Sequence, residues 1–448
     1  MTALGFRRGL ILSGSAWTIG TYAASVVMRF GSNVILTKLV APDVFGMSLV
    51  ITTIKIGADL LSDVGISQNI VSNKSGHEPR FYNTAWTIQL VRGLGLCAVC
   101  FALSGYLAET YKVPAAAIQL GAIALAVQGA VSTSIPLLQK DVRIASLMLF
   151  DLTIDLIGTL SVLLLVAWSP TIWAILCGHL VATLARVVGS FLLAGSGNRL
   201  CFDRAYAAQI LSFGKWIFLY SLIGFMSVNF DRLYIGSIAP LAVLGVYGIA
   251  RSIADLPAVL VGRLAYSLIF PIVAAAGQIP HAQLRREIGT PRLLFLVAAA
   301  VALGCATACA DLAVRTIYDA RYEQAAFMLP LLLVGTWATI LCTINEYVLI
   351  GRGKPQYATV ATSIKLVYLL IGLPLAFRAS GLMGAIAVLI CADVVRYTVL
   401  VSAQARARIS FGAQDLLATA CLLMTLLAIS WVRALIGLGT AFDGLHHL

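Results

Sequence analysis

Thirteen apolar stretches run through this chain of 448 residues, near 12–36, 43–62, 84–107, 115–138, 146–167, 171–194, 214–238, 242–271, 292–310, 327–350, 358–377, 381–403 and 414–438. Each is close to the twenty or so residues that a helix needs to cross bilayer hydrocarbon. Lipid offers backbone N–H and C=O groups no hydrogen bonds, so such stretches are confined to spanning helices. The expected fold class is all-α, a polytopic membrane protein, and the gaps leave no room for a soluble domain. A mean hydropathy of +0.94, with 60% hydrophobic and 11% charged residues, agrees with that class. The first stretch is interrupted by Trp17, Tyr22, Arg29 and Asn33 and lacks a small-residue cleavage site. It is therefore expected to stay as a helix and not to be removed as a signal peptide.

Lysine and arginine in short loops mark the cytoplasmic side. With the amino terminus inside, 15 of the 31 fall in inner segments and 5 in outer ones. That asymmetry predicts a multi-pass bacterial inner-membrane protein with a cytoplasmic amino terminus. Basic inner loops facing an anionic leaflet account for the net charge of +12 without a nucleic-acid partner. The remaining 11 cations lie inside apolar stretches, where an unpaired charge costs roughly 3 kcal/mol on insertion scales. A membrane protein keeps such residues where they face water, a counter-charge or a substrate, and an excess of cations favours an anionic substrate.

The segment Ile35–Gly46, which holds Ala41-Pro42 and ends in Gly46, recurs at Tyr234–Gly245 with Ala239-Pro240 and Gly245. Trp17 and Trp216 also correspond, each early in its helix. Two copies of a six-helix unit in the same orientation follow, and a substrate site is expected between such halves. The chain divides accordingly into 1–205 (helices 1–6), 206–403 (helices 7–12) and 404–448, an extra helix and a short tail.

Several segments carry a resemblance. Leu39–Gly46 and Asp63-Val64-Gly65-Ile66-Ser67-Gln68 resemble the turns after helices 1 and 2 of the polysaccharide exporters, the Wzx-type lipid-linked oligosaccharide flippases of the multidrug/oligosaccharidyl-lipid/polysaccharide superfamily. Asn83–Gly93 (Asn83-Thr84-Ala85-Trp86-Thr87-Ile88-Gln89-Leu90-Val91-Arg92-Gly93) is similar to helix 3 of the exopolysaccharide and colanic-acid-type branch. Asp231-Arg232-Leu233, Leu244-Gly245-Val246-Tyr247 and Phe270-Pro271 match the pattern around helices 7 and 8. The resemblance implies a flippase that moves undecaprenyl-diphosphate-linked repeat units to the periplasmic leaflet by alternating access. It implies a lipid-linked oligosaccharide as substrate, membrane lipid and polysaccharide polymerase machinery as partners, and no cofactor.

A diphosphate carries about two negative charges, which lysine and arginine can compensate as water is lost. The candidate residues for a cationic cleft are Arg29, Lys55, Arg92, Arg232, Arg251 and Arg263. A structural alternative exists for several of them: Lys55 with Asp59 and Arg251 with Asp255 are i,i+4 pairs, and Asp231 can offset Arg232. Arg186, Lys365 and Arg396 are expected to snorkel to the surface. Buried carboxylates with raised pKa carry protons in secondary transporters, which makes Asp59, Asp151, Asp155, Asp255 and Glu346 candidates for ion coupling, with Asp393 in the same class of position.

Other patterns carry nothing. Cys97 and Cys100 have CxxC spacing but no neighbouring histidine or second pair. Gly351–Pro355 lacks the first glycine and the Ser/Thr of a phosphate loop. His446 and His447 end the chain without further ligands, so no metal site is expected. A membrane glycan polymerase or ligase would need a large outer loop, and only 311–326 is long, with the spacing of an amphipathic surface segment. A multidrug and toxin exporter, whose substrates are commonly cationic, and a peptidoglycan-precursor flippase are the alternative readings. The helix after the twelfth is expected to be peripheral, against lipid or a polymerase.

Overall fold

The computed structural model describes residues 3–63, 65–193, 197–275, 281–407 and 409–443. Val64, Arg408, His446 and His447 lie outside the described residues, as do the side chains of Trp17, Trp216, Phe270 and Pro271. In chain order the helices are α1 (Ala3–Leu39), α2 (Pro42–Leu61), α3 (Ile66–Ser72), α4 (Pro79–Tyr111), α5 (Ala115–Gly129), α6 (Ser134–Lys140), α7 (Ile144–Trp168) and α8 (Ile172–Leu192). They continue as α9 (Arg204–Ile238), α10 (Leu241–Ala275), α11 (His281–Ala308), α12 (Ala310–Ile317), α13 (Gln324–Gly351), α14 (Gln356–Arg406) and α15 (Gly412–Leu435). No strand occurs among the described residues.

Each apolar stretch falls on a helix. Among the described residues nine helices are long and apolar enough to cross a membrane, and two bent pairs raise the number to eleven. One of those pairs is α5 with α6, which meet at 54°. α14 counts once there, although it is two stretches joined at Ser380–Gly381, where Gly381 takes φ +60°, a conformation glycine adopts without penalty.

Two compact units result. The first comprises Met1–Phe225 and Ile235–Gly245; the second comprises Met226–Tyr234 and Val246–Leu448. α9 and α10 thus each contribute to both, a finer division than the cut at residue 205 expected from the repeat.

In the first unit α4 packs on α5, α7 on α8 and on α1, and α5 and α2 on α8. Small residues set the closest approaches. A Cβ on Gly93 of α4 would collide with Gly129 and the Leu125 carbonyl of α5, and one on Gly178 with Val162 of α7. The two copies of the repeated turn pack against each other within this unit. A Cβ at Gly46 would strike the Leu241 carbonyl, and one at Gly245 the Pro42 carbonyl, so each copy's glycine admits the other copy's helix start. The aligned glycines therefore mark a reciprocal backbone contact.

In the second unit α13 is the central helix, enclosed by α14, α11 and α12. α15 was expected to be peripheral. One face of it is exposed, with Leu416, Leu427 and Trp431 outward, while the other lies along α11 and is fixed near both ends by buried ion pairs, Arg292 to Asp415 at 2.6 Å and Arg433 to Asp311 at 2.7 Å. Burying a charge pair is costly unless its geometry is good and further hydrogen bonds satisfy it. Here Asn345 and Gln414 also bond to Arg292, and Asn345 and Tyr397 to Asp415.

Candidate functional site

In the first unit α1, α2, α7 and α8 surround a cavity of about 420 Å³. Its polar lining is Arg29, Ser32 and Asn33 of α1, Ser48 of α2, Asp155 and Thr159 of α7, and His179 of α8. The Arg29 guanidinium lies 3.0 Å from Asp155, which also accepts the Ser25 hydroxyl at 3.0 Å. The Arg29 side chain remains 68% exposed, so its ion pair stands open to whatever enters. Two of the sequence candidates, Arg29 and Asp155, thus meet across the cavity, whereas His179, Ser48 and Thr159 were not singled out from the sequence.

Lys55 does not pair with Asp59, the neighbour that helical spacing suggested. Among the described residues its ammonium has neither a hydrogen bond nor an ion pair, and its electrostatic neighbours are Asp59 and His179. Asp59 is instead bonded by Arg92 of α4 and by Gln128 of α5 at 2.9 Å, and Arg92 reaches Asp63 at 3.4 Å. These residues border a second, polar cavity of about 250 Å³.

The Asn83–Gly93 segment proves to be a joint. Asn83 accepts the Arg199 N–H, Thr84 the Asp203 N–H and Thr87 the Cys201 N–H, at 2.9–3.1 Å, so one face of α4 holds the segment that leads into α9. On its other face Trp86 donates to the Ala130 carbonyl and Gln89 to those of Gly129 and Val131. These carbonyls are freed by the bend between α5 and α6, and Trp86 and Gln89 satisfy them from α4. The Asp63–Gln68 motif is similar in kind: Asp63 accepts the Gly65 N–H at 2.9 Å, and Gly65 enters α3 at φ +64°.

In the second unit Arg251 and Arg232 share Asp255, at 3.2 Å and 3.6 Å. Asp231 is not committed to Arg232; it accepts the buried Tyr247 hydroxyl, which links the Asp231-Arg232-Leu233 and Leu244–Tyr247 motifs. Arg263 is exposed on α10. Lys365 was expected to snorkel but is buried, 2.7 Å from Asp393, which also accepts the Thr339 hydroxyl. Arg396 likewise turns inward to Glu346, and Arg186 pairs with Asp151 at 2.8 Å.

Arg292, the first residue of the stretch 292–310, was counted with the inner segments, yet α11 starts at His281 and the Arg292 guanidinium is fully buried. Asp415 and Arg433, both in the last span, were the available signal, since a charge there requires a counter-charge. Just before α4, Glu78 accepts the Tyr206 hydroxyl, and that bond holds the exposed Glu78 carboxyl below its ordinary range.

Residues 35–327 match the profile of the family described as "Polysaccharide biosynthesis protein". The lipopolysaccharide biosynthesis protein WzxC of Escherichia coli (strain K12) is 25% identical over 277 residues, 59% of this chain and 54% of WzxC. The match therefore spans about half the length of that curated relative. Among solved structures, the lipid II flippase MurJ in an inward closed conformation superposes with a TM-score of 0.73 at 11% identity, covering 92% of each chain. An inward-facing multidrug resistance MATE family transporter superposes with a TM-score of 0.61 at 13% identity, covering 92% of this chain and 96% of that one. At such identities the likeness concerns the fold alone. The chain has that fold, and it belongs to the polysaccharide biosynthesis protein family, the Wzx-type family its sequence resembles.

Proposed function

We propose that the protein is a flippase that carries undecaprenyl-diphosphate-linked oligosaccharide repeat units across the inner membrane by alternating access, for exopolysaccharide or lipopolysaccharide biosynthesis. The observation that carries this reading is the open cavity of the first unit, where Arg29 and its carboxylate face a polar, accessible space and where Lys55, without an ion pair among the described residues, is an electrostatic neighbour of the lining His179. Family membership supplies the substrate class. In this reading the amino terminus is cytoplasmic, the functional lobes are 1–205 and 206–403, and 404–448 is appended to the second.

Arg29, Lys55, Arg92, Arg232, Arg251 and Arg263 form the cationic route. Arg29, Arg92, Arg232 and Arg251 already hold carboxylates, so the diphosphate competes with Asp155, Asp59 and Asp255 for the same guanidinium groups. A carboxylate released from its arginine in a poorly solvated site takes up a proton more readily. That exchange gives Asp59, Asp155 and Asp255 a role in coupling to a proton or sodium gradient, with Asp151 and Glu346, paired to Arg186 and Arg396, as further candidates. Transport into vesicles that persists unchanged when both gradients are collapsed would remove the coupling and leave the flippase.

The test is deletion of the gene in its host, complemented with wild type, Lys55→Ala and Arg251→Ala. Loss of surface polymer with repeat units trapped on the cytoplasmic leaflet, rescued by wild type alone, is the expected result. Unchanged polysaccharide with altered tolerance to toxic cations would instead favour a multidrug and toxin extrusion-type antiporter, a reading that the fold of the MATE transporter supports. Accumulation of a peptidoglycan precursor would assign that lipid as the substrate, the reading favoured by the fold of MurJ.

A further inference from the structure

We propose that the groove along α14 binds one anionic glycerophospholipid, its head on Lys354 and Arg406 and one acyl chain in the groove. The groove measures about 600 Å³ and follows Thr359, Ser363, Val367 and Ile371 at i,i+4 spacing, with Val395 from the returning half of α14 as the opposite wall. From Thr359 to Gly372 it is about 20 Å long at a rise of 1.5 Å per residue. That exceeds the ~15 Å of one leaflet's hydrocarbon.

Its polarity is confined to one end. Thr359 and Ser363 stand at the start of α14, and beyond them the lining is apolar except for Tyr368. Ala361 and Ala403 belong to one buried cluster with Cys342 and Leu349 of α13, with Tyr357 and Val399 packed on it, so the beginning and end of α14 converge at the polar end of the helix. The two chain segments at that end of α14, 351–359 and 399–407, contain Arg352, Lys354 and Arg406 and no aspartate or glutamate. The side chains of Lys354 and Arg406 have no hydrogen bond or ion pair among the described residues.

Charge selects the occupant. An apolar groove in a bilayer gains little from lipid tails, which are as apolar as its walls, so a tail alone would not distinguish this face from any other. Unpaired cations at the membrane surface do distinguish it, since they attract anionic head groups and basic pockets between helices retain them. The groove then orders a chain whose head is already held.

The experiment places p-benzoylphenylalanine at Val367, and separately at Leu427 on the exposed face of α15, in purified protein reconstituted in vesicles of equal phosphatidylcholine and phosphatidylglycerol. After illumination the lipid adducts are quantified by mass spectrometry. At Val367 the phosphatidylglycerol adduct is expected to dominate, with each of Lys354→Ala and Arg406→Ala lowering the preference about fivefold, the factor for one basic residue near the surface. At Leu427 no preference is expected, and retention of that adduct in the variants shows that they are folded. Equal adducts at both positions would mean bulk lipid only and would overturn the site. Preferential capture of added undecaprenyl phosphate over phosphatidylglycerol would overturn it as well, assigning the groove to a substrate tail. Crosslinking is read without transport, so this result and that of the flippase test are independent.

Discussion

Arg29 in the first unit and Arg292 in the second are both arginines on spanning helices, each 3.0 Å or less from an aspartate, yet their side chains are 68% and 0% exposed. The first pair borders a cavity and holds one additional hydroxyl. The second is sealed among Asn345, Gln414, Tyr397 and the face of Phe411. An exposed pair can exchange its counter-ion for another anion at small cost, whereas a sealed pair cannot lose one member without leaving the other charged and dry. The same two residue types thus serve a replaceable contact in one region and a fixed bolt in the other.

Removing a bolt should have the largest effect. Arg292→Met leaves Asp415 buried without its cation and is expected to cost about 3–5 kcal/mol of stability, seen as a lowered unfolding midpoint in detergent and largely restored by adding Asp415→Leu. Wild-type stability in the single variant would break the comparison. Arg29→Ala and Lys55→Ala should do the reverse. Stability is expected to change by less than about 1 kcal/mol, while binding of a diphosphate head group falls by about 10- to 100-fold, the value of one charge-assisted hydrogen bond. Isothermal titration with inorganic pyrophosphate checks this, and a collapse of folding would place Arg29 with the bolts.

A smaller loss, about 1 kcal/mol, is expected for Gln89→Leu, which uncaps the Gly129 and Val131 carbonyls, and is read from hydrogen exchange at the α5–α6 bend. The least effect belongs to Tyr206→Phe at the surface. The hydroxyl holds Glu78 ionised, so its contribution is present above the ordinary carboxylate pKa and disappears as pH falls through the lowered one. Stability of the two proteins, compared by denaturation at successive pH values, should differ slightly at neutral pH and converge in acid.

Hydropathy made the helices legible because length and apolarity are properties of a stretch and need no knowledge of neighbours. The Asn83–Gly93 segment was recognisable as special, but its work as a clamp was not, because its acceptors and donors come from residues 129–131 and 199–203. Pairing was the least readable feature. Helical spacing offered Asp59 to Lys55, and an arginine 33 positions away took it. Lys365 and Arg396 showed the same failure, since distance from a predicted helix end says nothing about which way a long side chain turns.

The hold of α4 on the segment before α9 has a consequence for how that connection tolerates change. Its bonded N–H groups belong to Arg199, Cys201 and Asp203, alternate residues in an extended chain, which is how a strand presents one edge. Surface connections ordinarily accept an added residue. Here a single insertion at 200 would turn the bonded edge away from Asn83 or from Thr84 and Thr87, because one residue of slip reverses the facing of everything beyond it. Substitutions that keep the backbone N–H would leave the clamp intact, so what this short stretch preserves is its count of residues more than their identity.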